Sequence, residues 1–308
     1  MIDSSVMGGV WSAVPTPFKD DWKLDKKSIA RLAEHQSKLG IKGLFIGGTS
    51  GEGPWLTQSM LRELARSTVK AAGGRMAVAV QVTDNSAARI LDNISKISDS
   101  GADLAVIAPP FFQMKPSQDF LRRLYLEVLE RSPMPIGLYH RGKHSSVAVS
   151  ASTIAELAEH EKVLMIKDSS GDAEDKEVFL KLKRRLNNIL LLNGNEFDCI
   201  PCLRDGYDGL LLGGACFNGG MALKIYDLTR AGRIKDAEEI QQRMNDLMYE
   251  VFGGKESCSC WLAGQKQMLV EMGIFSTNRT VINYALTPEC GKAIKKVFQQ
   301  FRDELFPY

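Results

Sequence analysis

The chain has 308 residues, 44% of them hydrophobic and 25% charged, with a net charge of +2. That length allows two average domains or one α/β barrel with an appendage, and the near balance of charge excludes a strongly basic, polyanion-binding protein, so no nucleic-acid partner is expected. No apolar run approaches the roughly 18 residues of a membrane span, and Met1-Ile2-Asp3-Ser4-Ser5 has neither a charged n-region nor an apolar h-region, so no membrane or secretory segment is expected and the expected compartment is cytoplasmic.

Short apolar runs recur along the chain, each closed by Gly, Pro or small polar residues and followed by an amphipathic stretch. Taken as strands, they are Val10–Val14, Gly43–Ile46, Met76–Val82, Leu104–Ala108, Ile136–Tyr139, Val163–Ile166, Ile189–Leu192 and Leu210–Leu212. Between them, patterns such as Ser28–His35 and Leu61–Arg66 place apolar residues at a 3.6 period. Strands that are apolar throughout are buried on both faces, and strand–helix alternation makes the sheet parallel. Eight such units over about 230 residues match a (β/α)8 TIM barrel. The rival is an open doubly wound sheet, which commonly binds its ligand through a Gly-rich first turn, and no G-x-G-x-x-G follows the first strand. Three further amphipathic stretches, around 233–251, 257–272 and 288–304, have no strand between them. The expected division is a barrel of residues 1–232 and a C-terminal helical region of residues 233–308.

The six cysteines, at 199, 202, 216, 258, 260 and 290, read as reduced and mostly buried in a chain too long to need staples. Cys199-x-x-Cys202 and Cys258-x-Cys260 fall in helical-looking stretches with no histidine at ligand spacing, so no metal site is expected.

Chemistry in a barrel lies where strands end and loops lead into helices. Those ends are Pro15–Phe18, Gly47–Gly53, Pro109–Phe112, Tyr139–His140 and Lys167. Lys167 closes an apolar run and precedes Asp168-Ser169-Ser170-Gly171-Asp172. An ammonium in low-dielectric surroundings has its pKa pushed down, and a neutral amine is what a Schiff-base nucleophile requires. The alternative is a lysine whose stem lies along the core and whose head stays in solvent. The Gly47–Gly53 loop offers two hydroxyls and unobstructed N–H groups, components of an anion nest that suits a carboxylate. It lacks the G-x-x-x-x-G-K-[ST] spacing of a phosphate cradle, and a glycine turn without a ligand is the remaining possibility. Tyr139 precedes Lys167 by 28 residues, one βα unit, which sets the two on neighbouring strands. Taken singly it reads as a core aromatic with a satisfied hydroxyl, and the strand-end lysine and hydroxyl loop reverse that reading in favour of proton transfer.

Gly47-Gly48-Thr49-Ser50-Gly51-Glu52, with Tyr139 and Lys167 at this spacing, resembles the pyruvate-dependent class I aldolase family that includes N-acetylneuraminate lyase and dihydrodipicolinate synthase. The resemblance covers nearly the whole chain. It implies that Lys167 forms an imine with pyruvate or another 2-oxo acid, that Thr49 and Ser50, beside Gly48, hold the carboxylate, and that Tyr139 relays protons through the Ser50 hydroxyl. It further implies substrate contacts at Ser169 and at the Gly213 carbonyl, an aldehyde as second partner, and a homotetramer. Such covalent catalysis with acid–base assistance needs no metal or organic cofactor.

Several positions depart from the better-known members. Phe111-Phe112 stand where dihydrodipicolinate synthases carry a tyrosine, and His144 stands at the offset of their arginine, with Arg141 displaced by three. Gly194-Asn195-Glu196-Phe197 replaces the G-x-D-E of sialic acid lyases, leaving Glu196 to serve. His140 replaces a common asparagine and adds a group that titrates near neutral pH. These departures point to a 2-oxo-3-deoxy sugar acid or another hydroxylated 2-oxo acid as substrate, ahead of dihydrodipicolinate synthesis. A dehydratase using the same imine and an idle paralogue that binds a small carboxylate are also compatible with the residues.

Overall fold

The computed structural model describes residues 7–308 apart from Asn187, Ser257 and Asn283. Eight parallel strands close on themselves in chain order, each neighbour paired and β8 paired back to β1. The strands are β1 (Gly9–Ala13), β2 (Gly43–Ile46), β3 (Ala77–Gln81), β4 (Leu104–Ile107), β5 (Ile136–His140), β6 (Val163–Asp168), β7 (Leu190–Asn193) and β8 (Gly209–Leu212). Eight helices follow them one for one: α1 (Lys26–Leu39), α2 (Gln58–Ala72), α3 (Ala87–Ile97), α4 (Gln118–Arg131), α5 (Ala151–Leu157), α6 (Ala173–Arg185), α7 (Ile200–Asp205) and α8 (Ala215–Arg230). The fold is the (β/α)8 barrel that the count of apolar runs implies. Strand limits differ from the expected ones by a residue or two, and β6 runs on through Lys167 to Asp168 instead of stopping at Ile166.

Six of the βα loops end in a side chain that caps the next helix. Asp25, Thr57, Ser86, Ser117, Ser150 and Asp172 each accept hydrogen bonds from first-turn N–H groups, satisfying donors that the helix cannot pair internally. The helices therefore start at fixed points, and the loops before them are held at both ends.

Alternation along the strands sorts side chains into two cores. Leu44, Ile46, Val78, Val80, Leu138, Ile166 and Leu191 face the helix ring. Trp11, Phe45, Ala79, Val106, Met165, Leu190, Leu192 and Leu211 fill the barrel interior. Trp11 needs its neighbour to be glycine, because a Cβ on Gly43 would lie 2.2 Å from the indole.

The C-terminal region is helical as expected, with α9 (Ile234–Phe252), α10 (Trp261–Glu271), α11 (Pro288–Gln300) and the short α12 (Arg302–Leu305). Helix α9 packs on α8, and α10 and α11 pack on α9. Cys202 lies in α7 and Cys199 stands just before its first residue, whereas Cys258 and Cys260 lie in the turn before α10 and not in a helix. All six cysteines are unpaired, and four of them are buried. Among the described residues no helix is long and apolar enough to cross a membrane.

One ion pair ties this region to the barrel mouth. Lys266 of α10 meets Glu52 of the loop after β2, and both side chains are wholly buried. The ammonium also donates to the Arg279 carbonyl at 2.6 Å and stands 4.6 Å over the Phe18 ring. The other Glu52 oxygen accepts from Val281 N at 2.5 Å. Burial pushes the Lys266 pKa down to about 8, with the Glu52 carboxylate holding it up. Removing one member of such a pair strands a buried charge. Lys266→Met should therefore cost about 3–5 kcal/mol in denaturant unfolding, and adding Glu52→Gln, which keeps an acceptor for Val281 N, should recover part of that loss.

Candidate active site

Lys167 and Tyr139 are directly paired across β5 and β6, and Lys167 is paired on its other side with Leu192. Both polar side chains point into the barrel, where Lys167 is 6% exposed. Its Nζ stands 4.3 Å from the Tyr139 ring centroid and 5.1 Å from that of Phe45. The amine thus sits at the floor of the mouth, held between two aromatic faces that attract its charged form.

The residues around Lys167 fix its strand. Ser169 N donates to the His140 carbonyl at 2.9 Å and Gly194 N to the Asp168 carbonyl at 2.6 Å, prolonging the ladder past the lysine on both sides. Asp168 faces outward and accepts from Ser170 N at 3.0 Å, from Ser170 Oγ at 2.8 Å and from the Tyr207 hydroxyl at 2.7 Å. Gly194 keeps the space open, since a Cβ there would lie 2.0 Å from Ser169 Oγ and 2.9 Å from Lys167 Cε.

The Tyr139 phenol lies below the ordinary tyrosine pKa. Burial works against that shift, but the Lys167 and Arg141 charges, with the Ser169 and Thr49 hydroxyls, outweigh it. Arg141 has its guanidinium carbon 6.0 Å from the Tyr139 ring, so its displacement in sequence does not carry it away from the mouth. The short 3-10 turn Gly142–His144, entered through Gly142 at φ 51°, leaves Arg141 half-buried and His144 exposed.

The Gly47–Gly53 loop curls so tightly that a Cβ on Gly53 would lie 1.7 Å from the Gly47 carbonyl oxygen. Thr16 Oγ1 donates to the Gly51 carbonyl at 2.6 Å, and the Glu52 and Gly53 N–H groups are used within the turn. Among the described residues nothing takes up the N–H groups of Thr49 and Ser50. Ser50 Oγ stands close to Gly213, just past β8: a Cβ on Gly213 would lie 3.2 Å from it. Gly48 backs onto Phe45, whose ring would lie 2.7 Å from a Cβ placed there.

Lys167, Tyr139, Thr49, Ser50, Gly48, Ser169 and Gly213 thus converge on one mouth. His140 does not. Alternation turns it outward, where its Nε2 lies 2.7 Å from Asp175 Oδ2 and its ring packs on Phe179 at 5.2 Å. Phe111 and Phe112 also stay out of the mouth, with exposed rings and backbone N–H groups that donate to Asn85 Oδ1 at 2.9 and 2.7 Å. Two residues of the mouth are absent from the strand-end pattern. Phe45 is recoverable from the period-2 pattern of β2, but Gln265 arrives from α10, nearly a hundred residues after Lys167.

Residues 6–280 match the model of the dihydrodipicolinate synthetase family. The 4-hydroxy-tetrahydrodipicolinate synthase of Exiguobacterium sp. (strain ATCC BAA-1283 / AT1b) is 28% identical over 245 residues, which covers 79% of this chain and 82% of that protein. The dihydrodipicolinate synthase of Bacteroides thetaiotaomicron superposes with a TM-score of 0.88 at 25% identity, over 97% of this chain and all of that one. A prophage protein of the same family from E. coli K12, solved in complex with pyruvate, superposes with a TM-score of 0.86 at 20% identity, over 96% and 99% of the two chains. With its closed barrel, its inward lysine and a family match that spans most of its length, the chain belongs to the dihydrodipicolinate synthetase family.

Proposed function

We propose that the protein is a class I lyase that forms a Schiff base between Lys167 and pyruvate or a longer 2-oxo acid and makes or breaks the bond between C3 and C4. The observation that carries this is the inward, 6% exposed Lys167 paired in register with Tyr139. In the cleavage direction Nζ adds to the C2 carbonyl and water leaves, giving a protonated imine. Loss of the C4 hydroxyl proton then breaks the C3–C4 bond; the electron pair moves to the imine nitrogen, releasing an aldehyde and leaving an enamine. Protonation at C3 and hydrolysis return pyruvate and the free amine.

Tyr139 suits the proton transfers because its phenol already lies below its ordinary range. The Thr49 hydroxyl, which helps to lower the phenol's pKa, can join the relay that the resemblance assigns to Ser50. Ser50 and the free N–H groups of the loop are then left to hold the carboxylate, with Gly48 giving the chain close approach. No step of this chemistry uses a metal or organic cofactor. The substrate best matched to Glu196 and its surroundings is a hydroxylated 2-oxo acid such as a 2-oxo-3-deoxy sugar acid. Arg141 favours a second reading, condensation of pyruvate with an aldehyde that carries a carboxylate, since its guanidinium stands beside Tyr139. The family resemblance adds a homotetramer, and Phe112 and Met114, 76% and 89% exposed, supply apolar surface for contacts between subunits.

Incubation with pyruvate and borohydride should add a reduced three-carbon group to Lys167, seen by peptide mass; an unmodified lysine would leave only the carboxylate-binding paralogue. Tyr139→Phe should lower kcat by about 10²-fold, and unchanged kinetics would make the phenol structural. Because the Arg141 charge favours the phenolate, Arg141→Ala should raise the phenol pKa and move the basic limb of the pH–rate profile to higher pH. A limb that stays in place would remove Tyr139 from the titrating step.

A further inference from the structure

Beside Ser50 the mouth holds two further polar side chains, gathered around Gly213. Gly213 faces inward, and a methyl group built on it would lie 3.2 Å from Ser50 Oγ, 3.4 Å from Gln265 Nε2 and 3.5 Å from Glu196 Oε2. The three side chains come from the loop after β2, from α10 and from the loop after β7, and they meet only because Gly213 has no side chain. Gln265 is 1% exposed, yet its Oε1 is buried with no hydrogen-bond partner among the described residues. Buried amide oxygens are nearly always paired, so an orphan of this kind asks for a partner that the chain does not provide.

Glu196 Oε2 accepts from Gly214 N at 2.5 Å, which leaves the carboxyl further accepting capacity. Burial raises its pKa, against the pull of the Gly214 N–H and the Lys167 charge. Behind it Asn218 is wholly buried, with both side-chain polar atoms unpaired among the described residues, at the one non-helical residue inside α8. A Cβ on Gly214 would lie 2.9 Å from Asn218 Nδ2 and 3.1 Å from Glu196 Oε2, so the amide stands close to the carboxyl.

We propose that Gln265, with Glu196, forms a subsite that reads adjacent hydroxyl groups on the substrate's tail, so that a residue of the C-terminal helices sets substrate specificity. The proposal rests on the Schiff-base assignment of Lys167. Gln265 supplies a donor at Nε2 and an acceptor at Oε1, Glu196 supplies a second acceptor, and this set complements a vicinal diol. A substrate carboxylate fits poorly there, because it would be placed against the Glu196 carboxyl; the N–H groups of Thr49 and Ser50 are the better site for it. With C1 at that loop and C2 on Lys167, Tyr139 occupies the β5 side, and the tail runs toward β7 and β8, where Gln265 and Glu196 lie.

The test compares the full-length protein with Gln265→Leu and Gln265→Asn, measuring pyruvate release from a six-carbon 2-oxo-3-deoxy acid and from 4-hydroxy-2-oxopentanoate, which lacks hydroxyls beyond C4. Gln265→Leu should lose about 10²-fold in kcat/KM on the six-carbon acid and less than about 3-fold on the short one, with the Asn variant recovering part of the loss. Borohydride trapping of pyruvate on Lys167 should be retained in both variants. Equal losses on the two substrates, no loss on either, or failure of the wild type to cleave the six-carbon acid would each overturn the proposal. Absence of the trapped adduct in the wild type would overturn instead the Schiff-base assignment on which it rests.

Discussion

A single irregular step in the β5–β6 ladder decides that Lys167 and Tyr139 face the same side of the sheet. Ile136 pairs with Val163, but the next pair is Gly137 with Met165, so Leu164 is passed over. Carried on without that shift, the first pairing would set Tyr139 beside Ile166. Neighbouring paired residues point to the same side of a sheet, so Tyr139 and Lys167 would then face opposite sides, one into the barrel and one toward the helices. The extra residue re-aims the second half of β6, as bulges do where a strand must present a particular side chain. From that shift follow the inward Lys167, the outward Asp168 bound to Tyr207, and the outward Ile166 in the helix-facing core.

Two lysines are buried among the described residues, and their surroundings differ. Lys266 has a carboxylate, a carbonyl and an aromatic face around it, and its charge is fully engaged. Lys167 lies between two aromatic rings and has no salt bridge among the described residues. The Lys266–Glu52 pair is costly to bury, and pairs of this type are weak sources of net stability. What it does here is positional. It pins Glu52, a non-glycine residue at φ 57°, and through it the turn that presents Thr49 and Ser50, to a helix outside the barrel.

The barrel is legible in the sequence because parallel strands buried on both faces read as unbroken apolar runs, and eight of them alternate with helical patterns. The same property hides the end of β6. Lys167 and Asp168 belong to the strand, but a charged residue that turns into the barrel ends the apolar run two residues early. The bulge is invisible for a related reason, since in a run such as Val163-Leu164-Met165-Ile166 every residue is apolar and no parity can be assigned. His140 is misplaced by the loop rule, which treats all residues at a strand end as facing the mouth, when alternation sends every second one outward. Arg141 follows directly on β5, so an offset counted along the chain says little of its reach, which brings the guanidinium carbon to 6.0 Å from the Tyr139 ring.

Gln265 lies beyond any pattern in the barrel units because it comes from α10, a helix of the C-terminal region, and reaches the mouth beside Gly213. The β2 loop and the β5–β6 pair bring the loop hydroxyls, the phenol and the amine to one mouth. Gly213 then opens a gap at the β8 end, and a helix that belongs to no βα unit fills its far wall. The only sequence trace is Gln265-Lys266-Gln267, a polar triplet inside the otherwise largely apolar α10, two of whose members are buried. Lys266 accounts for its burial by pairing with Glu52; the Gln265 oxygen has no such partner within the chain. Because the ion pair holds the next residue fixed, the amide is aimed by a constraint one position away. Anchored to the Gly47–Gly53 loop in this way, α10 holds the Gln265 amide at the mouth independently of the β5–β6 register that places Lys167.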